Sequence, residues 1–371
     1  MPPSPPIQLS LCMIVKDEAG MLPEFLARAR GLWDELVVVD TGSQDETVAI
    51  LEAAGATVLH RPWRNDFALA RNFSLEAASG EWILVLDPDE HVSTEFVAQA
   101  RALLADAKAG AASVVMQNHR EDGHMQEASL VRMFRRHPDV RFRHAIHEDL
   151  ADTLMPRLEE TGQVLVHLNA PIMHLGYERA HAQARGKKER DTSLIEAVLA
   201  RNPDDLYLHY KLMEQARFWS DQELAARAAL AAKAAFLRAP DSALGYWAGE
   251  LAVMMVDALC AGRAQEAVAA LDALWERVPN SPAIAYRMGE LLESMNNFSG
   301  AAAAFEKAMK APGPLINKQL RTVRPLMGLV RVGLATQNMD AAISHLKSAQ
   351  ELDPGDPEVA FTVKILLGKP A

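Results

Sequence analysis

Asp87 and Asp89, in Leu86-Asp87-Pro88-Asp89-Glu90, are the first residues of this sequence whose types and spacing suggest chemistry. In extended backbone, side chains two residues apart point the same way. Two hard carboxylates on one side can hold Mg²⁺ or Mn²⁺ and leave coordination positions for substrate phosphates. The element that must position them precedes them. Trp82 to Leu86 is apolar without interruption, Gly80 supplies the turn ahead of it, and Pro88 rules out a continued central strand. So short an aliphatic run reads as a strand buried on both faces, as inside a parallel sheet. Open α/β sheets place their ligands at the carboxyl ends of such strands. An Asp-x-Asp alone also fits an ordinary acidic turn, so the other strand ends decide.

Ser10 to Val15 is a first apolar run, ending in Lys16-Asp17-Glu18. Met21 to Ala29 follows with helical spacing. Leu36 to Val39 is a second buried run, ending in Asp40-Thr41-Gly42-Ser43, and Asp45 then suits the N-cap of a helix carrying Val48, Leu51 and Ala54 on one face. Gly55 stops that helix, and Thr57 to Leu59 reads as a third strand. Asp66 suits the cap of a helix from Phe67 to Ser79 that contains Arg71 and Asn72. Strands alternating with helices at this spacing predict βαβ units and a mostly parallel sheet. Three polar clusters at strand ends would then face one crevice. Gly42 permits close backbone approach, and a following helix N-terminus favours an anion. There is neither a Gly-x-Gly-x-x-Gly after the first strand nor a Gly-Lys-Ser/Thr phosphate loop, which argues against a dinucleotide site and a P-loop.

The chain of 371 residues is long enough for about two domains. Its hydrophobic fraction of 49% and charged fraction of 23% are those of a soluble protein. A net charge of −11 and a pI near 5.6 argue against nucleic acid and anionic membrane surfaces as partners. Cys12 and Cys260, the only cysteines, lie too far apart in sequence to suggest a disulfide framework or a thiolate metal site. Met1 to Pro6 is a Pro-rich tail with no signal segment after it. No run approaches the ~18 apolar residues of a membrane span; the stretch from Leu251 to Cys260 is broken by Asp257. The expectation is a cytoplasmic protein without a membrane span.

Four segments together carry a family resemblance: Ser10-Leu-Cys-Met-Ile-Val-Lys-Asp-Glu18, Val38-Val-Asp-Thr-Gly-Ser43, Asp66-Phe-Ala-Leu-Ala-Arg-Asn72 and Trp82-Ile-Leu-Val-Leu-Asp-Pro-Asp-Glu90. In order and spacing they resemble the family-2 glycosyltransferases of the GT-A fold. The resemblance covers about the first half of the chain. It implies a nucleotide-sugar donor, usually a UDP-sugar, a divalent cation (Mn²⁺ or Mg²⁺), and transfer with inversion. By the same resemblance Val15, Asp17 and Asp40 would lie against the nucleotide base, where a carboxylate can accept from uracil N–H. Arg71 would meet the diphosphate. Asp87 would lie near ribose and metal, and Asp89 would ligate the metal. Asp17 departs from the pattern, since relatives commonly carry Asn there.

From Arg132 the composition turns basic, with Arg135, Arg136, His137, Arg141, Arg143, His144 and His147, a concentration suited to phosphate or an anionic acceptor. Arg132-Met-Phe-Arg135 followed by His147-Glu148-Asp149 resembles the acceptor side of the same transferases. An inverting enzyme needs a base for the acceptor's proton. Either Glu148 or Asp149 could serve, Glu148 being preferred. His174, in Ile172-Met-His174-Leu-Gly-Tyr177, reads equally as a late metal ligand of such a domain or as a packed core histidine.

After Asp191 Ala-rich helical stretches take over, punctuated by Pro203, Pro240, Pro279 and Pro354. Recurring Leu271, Leu274, Gly289, Leu292, Ala301, Phe305, Leu346 and Ala349 resemble tetratricopeptide repeats, whose period is about 34 residues. The expected architecture is therefore a GT-A α/β domain over residues 1–190 and an all-α repeat domain over 191–371. Helix pairs of this kind stack into a solenoid with a concave face. They would bind an acceptor, cap the fold or join copies as a homo-oligomer. Family-2 transferases with such tails include peptide S-glycosyltransferases, so the acceptor is open between polypeptide and saccharide. The competing function class is a non-catalytic repeat adaptor carrying a degenerate nucleotide-sugar-binding domain.

Overall fold

The computed structural model of the chain describes residues 7–119, 125–174, 186–314 and 317–368; Met1 to Pro6 and Leu175 to Tyr177 lie outside these. The chain divides into two compact units, Met1–Leu194 and Ile195–Ala371.

In the first unit β1 (Leu9–Val15), α1 (Leu22–Arg28), β2 (Glu35–Asp40), α2 (Thr47–Ala53), β3 (Thr57–His60), α3 (Phe67–Ala77) and β4 (Trp82–Val85) follow the alternation expected from the apolar runs. Next come β5 (Glu90–His91), α4 (Thr94–Leu103), β6 (Ala109–His119), β7 (Met125–Arg135), α5 (Ala151–Thr161) and β8 (Val164–His174). The strands form an eight-stranded sheet in the order β3-β2-β1-β4-β7-β6-β8-β5. β3, β2, β1 and β4 are mutually parallel, as are β6 and β8, whereas the β4–β7, β7–β6 and β8–β5 pairs are antiparallel. The sheet is thus mixed, with parallel pairs in the majority. β4 is flanked by one parallel and one antiparallel neighbour.

Helices on both faces explain why β1, β2 and β4 read as unbroken apolar runs. Leu9, Leu11, Met13, Leu84 and Trp82 pack with Leu22, Phe25 and Phe96 on one face. Cys12, Val37, Ile83 and Val85 pack with Ala68, Leu75, Leu154 and Leu158 on the other. Cys12 lies fully inside, its thiol directed at the Ser74 carbonyl 3.6 Å away, and burial pushes its pKa up to about 12. Asp66 caps α3 as expected, accepting from the Leu69 amide at 2.8 Å. Asp45 does not cap α2. The N-cap position is Glu46, and the Asp45 carboxylate instead accepts from Thr47 N–H at 2.9 Å and from Ala19 N–H at 3.1 Å, tying two strand-end loops together.

In the second unit α6 (Lys187–Leu199, which begins in the first), α7 (Leu206–Phe218) and α8 (Gln222–Arg238) lead to α9 (Ala248–Leu259) and α10 (Ala264–Trp275). They continue as α11 (Pro282–Ser294), α12 (Phe298–Lys310), α13 (Val323–Ala335), α14 (Met339–Leu352) and α15 (Pro357–Leu367). Several begin with an Asp, Ser or Asn accepting from the first turn: Asp205, Asp221, Ser281, Asn297, Asn338 and Asp356. The buried ring of Phe305 sets the packing distance of its neighbours. A Cβ on Gly289 would lie 2.5 Å from that ring and one on Gly328 2.6 Å, so α11 and α13 can close on Phe305 only with glycine at both positions. A row of ion pairs links alternate helices: Asp257–Arg287 at 2.8 Å, Glu293–Arg331 at 2.9 Å, Arg331–Glu358 at 2.9 Å and Arg324–Glu358 at 3.1 Å.

Candidate active site

The carboxyl ends of β1, β2 and β4 lie side by side, with Val15 in register with Asp40 and Cys12 in register with Val85. The first two ends are stitched together. The Val15 carbonyl accepts from both the amide and the hydroxyl of Thr41. The Asp17 amide donates to Ser43 Oγ at 3.0 Å, and Asp17 Oδ1 accepts from the Gln44 amide at 2.7 Å. Asp17 sits at φ 55°, in the left-handed region. Asp40 is buried and folds the next turn on itself, Oδ1 accepting from Ser43 N–H at 3.0 Å and Oδ2 from Gly42 N–H at 3.3 Å. Gly42, at φ 117°, occupies a conformation that a side chain would strain. His60 Nδ1 stands 3.4 Å from Asp40 Oδ2.

At the end of β4 the carboxylates meet a buried arginine. Arg71 on α3 forks onto Asp87, Nη1 to Oδ1 at 3.1 Å and Nη2 to Oδ2 at 2.9 Å, while its Nε donates to Glu148 Oε1 at 2.6 Å. Its side chain is only 7% exposed. Burial pushes the Asp87 carboxyl up, but the charges of Arg71 and Arg132 outweigh that and hold it at about 2. Burial opposes the Arg71 charge, and its two carboxylate partners more than restore it.

Asp89 is buried and faces His174 across 3.4 Å, the two brought together by pairing of Glu90 with His174 between β5 and β8. Burial disfavours the His174 cation, but Asp89 outweighs it and raises the pKa; burial likewise disfavours the Asp89 anion, but the His174 contact lowers its pKa. Among the described residues no three His, Cys, Asp or Glu converge as a ready metal site. Asp89 and His174 supply two suitable donors, while both Asp87 oxygens are directed at Arg71. The carboxylate suits a hard cation such as Mg²⁺ or Mn²⁺ and the imidazole a more borderline one, and the two would leave most coordination positions open.

Glu148 and Asp149 part company. The loop from 144 to 148 is pinched at its neck by Arg143 and Asp149, which exchange backbone hydrogen bonds at 2.9 and 3.1 Å. His144 at φ 71° and His147 at φ 54° make the bends between them. Glu148 turns inward to Arg71, its side chain 15% exposed. Asp149 turns outward and accepts from the Ala151 amide at 2.7 Å ahead of α5. The loop is held by α3: the Asn72 side chain donates through Nδ2 to the Phe142 carbonyl at 3.0 Å and accepts at Oδ1 from the Phe142 amide at 2.9 Å, and the Phe67 amide donates to the Ala145 carbonyl at 2.8 Å.

Glu90, which is buried, and Asn72 had no assigned role in the sequence. Glu90 Oε2 accepts from the Asp87 amide at 3.0 Å and its Oε1 pairs with Arg132 of β7. Burial pushes the Glu90 carboxyl up to about 7. Glu90 was visible as part of the acidic strand end and Arg132 as the first of the basic run, but their pairing requires the antiparallel β4–β7 neighbours. Asn72 was visible only as the neighbour of Arg71.

Residues 10–157 match the model of the family Glycosyl transferase family 2, and residues 258–312 match that of the Tetratricopeptide repeat. A TPR repeat-containing protein of Synechococcus elongatus is 42% identical over 207 residues, 55% of this chain and 51% of that protein. The SPbeta prophage-derived glycosyltransferase SunS of Bacillus subtilis is 25% identical over 197 residues, 52% of this chain and 45% of that protein. An uncharacterized glycosyltransferase of Rickettsia felis is 35% identical over 88 residues, 24% of this chain and 31% of that protein. The chain thus spans about half the length of the first two relatives, or less. No described helix is long and apolar enough to cross a membrane. The chain is therefore similar to glycosyl transferase family 2 over residues 10–157 and to tetratricopeptide repeats over residues 258–312.

Proposed function

We propose that the chain transfers a sugar, with inversion, from a nucleotide-sugar donor to a separate acceptor, a UDP-sugar being the first donor to test. The observation that carries this reading is the convergence of Asp87, Asp89, His174 and Glu148 at the ends of β4, β8 and the 142–149 loop, all but His174 inside the matched residues 10–157. The donor's base would lie against Val15, Asp17 and Asp40 at the ends of β1 and β2. Mn²⁺ or Mg²⁺ would be held by Asp89 and His174 beside Asp87, and when bound it would offset the charge developing on the departing diphosphate.

Glu148 is the better base. It faces the donor carboxylates through Arg71, whereas Asp149 is spent on the backbone ahead of α5. Its carboxylate would take the acceptor's proton as the acceptor oxygen, nitrogen or sulfur attacks the anomeric carbon. Arg71 keeps that carboxylate oriented and Phe142 lies against the guanidinium, 5.6 Å from its carbon to the ring centre. The helical repeats would present a polypeptide acceptor, the class of ligand their concave faces suit.

The test is turnover. Purified protein with UDP-, GDP- and dTDP-sugars and Mn²⁺ is expected to release nucleoside diphosphate from one of them. No release from any donor, with or without a candidate peptide, would favour the adaptor reading instead.

A further inference from the structure

Two arginines lie at the end of β4, and their surroundings differ. Arg71 spends Nε, Nη1 and Nη2 on the carboxylates of Glu148 and Asp87. Among the described residues, Arg132 donates to Glu90 through Nη2. Its Nε is buried with no hydrogen-bond partner among the described residues. Its side chain is 14% exposed against 7% for Arg71. Register places it at the site: Met133 of β7 stands opposite Leu84 of β4, so in this antiparallel pair Arg132 lies beside the strand end from which Asp87 and Asp89 depart. Its charge also acts on Asp87.

We infer that Arg132, held by Glu90, is the cation that meets the donor's diphosphate, and that Arg71 is instead a positioning residue joining Asp87 to Glu148. This rests on the donor reading proposed above. A guanidinium with an unused buried N–H and an open edge can add hydrogen bonds to phosphate oxygens without giving up its carboxylate. Arg71 keeps one further N–H on each Nη, but its side chain is only 7% exposed and Phe142 lies against its guanidinium, so it offers less open edge to an incoming anion. Glu90 has two tasks: it fixes the Asp87 amide, and it holds Arg132 in place until an anion arrives.

The experiment compares UDP with uridine, each in the presence of Mn²⁺, by calorimetry on the full chain; GDP and guanosine replace them if UDP does not bind. Arg132→Met is expected to weaken UDP binding roughly tenfold to a hundredfold, the size of one or two charge-assisted hydrogen bonds, with uridine binding unchanged. Arg71→Lys is expected to leave the UDP-to-uridine affinity ratio as in the wild type and to lower kcat for transfer. Equal UDP affinity in Arg132→Met and wild type would overturn the inference, as would equal losses for UDP and uridine, which mark a structural role. A loss of UDP but not uridine affinity confined to Arg71→Lys would return the diphosphate to Arg71. Should Arg132→Met fail to fold, Arg132→Gln decides. Its amide N–H can still donate to Glu90 while the charge is lost, so UDP should bind more weakly than to wild type with uridine binding unchanged, and equal UDP affinity overturns the inference. Wild-type protein that binds neither UDP nor GDP would remove the donor reading itself, and this inference with it.

Discussion

Charges are handled differently in the two units. Around β4 the Arg71, Asp87 and Glu148 side chains are 7%, 27% and 15% exposed, and both carboxylates meet on one guanidinium. In the helical unit the Arg331, Glu293 and Glu358 side chains are 36%, 21% and 37% exposed and join alternate helices. Burying ions carries a desolvation cost that even good pairing often fails to recover, so the first arrangement is a poor device for stability alone. Half-exposed pairs contribute little each, about 0–1 kcal/mol, and cost little. On the proposed function, the contrast separates charges kept for chemistry from charges that align a scaffold.

The sharpest way to break this comparison is at Asp89. Asp89→Ala, or a chelator in excess, is expected to abolish donor turnover while leaving the far-ultraviolet circular dichroism unchanged. Full turnover under chelation would mean that the buried carboxylates serve no metal. Next is Glu148→Gln, which keeps shape and should keep donor binding while cutting transfer by about 10² to 10⁴-fold. Asp149→Asn should leave transfer near wild type; the reverse ranking would make Asp149 the base. Asn72→Ala removes two hydrogen bonds to Phe142, so a loss of about 1–3 kcal/mol in urea unfolding is expected. Transfer should fall more than donor hydrolysis, because the loop carrying Glu148 loosens. The smallest effect belongs to the helical unit. Arg331→Ala should cost no more than about 1 kcal/mol per lost pair and leave donor hydrolysis unchanged. A loss of hydrolysis there would erase the distinction between the two kinds of charge.

The half of the sheet from β1 to β4 was legible because helices cover both faces and leave apolar runs ending in polar clusters. β6, β7 and β8 were not. Each is 11 residues long, and exposed or half-exposed residues such as Ser129, Leu130, Val164 and His167 alternate with or interrupt the buried ones. Such strands lack the compact apolar run that marks a parallel core strand. The basic stretch after Arg132 read as one patch, yet Arg132 and Arg135 are separately tied to Glu90 and Glu81. The Asp pair could be read locally. Its link to Glu148 through Arg71 could not, because Arg71 and Glu148 are 77 residues apart. Asp17, an apparent departure from the family pattern, has a backbone explanation: at φ 55° Asp and Asn are both well tolerated, so the exchange keeps the turn.

Cys12 is buried on β1 and its thiol stays protonated far above neutral pH, whereas Cys260 is partly accessible at the end of α9. Alkylating and maleimide reagents need an accessible thiolate. In the native protein they would therefore discriminate between the two cysteines without any engineering, leaving one attachment point for a fluorophore or spin label. That point lies at the end of α9 in the helical unit, so a dye there would report on that unit while leaving the site around β4 unlabelled.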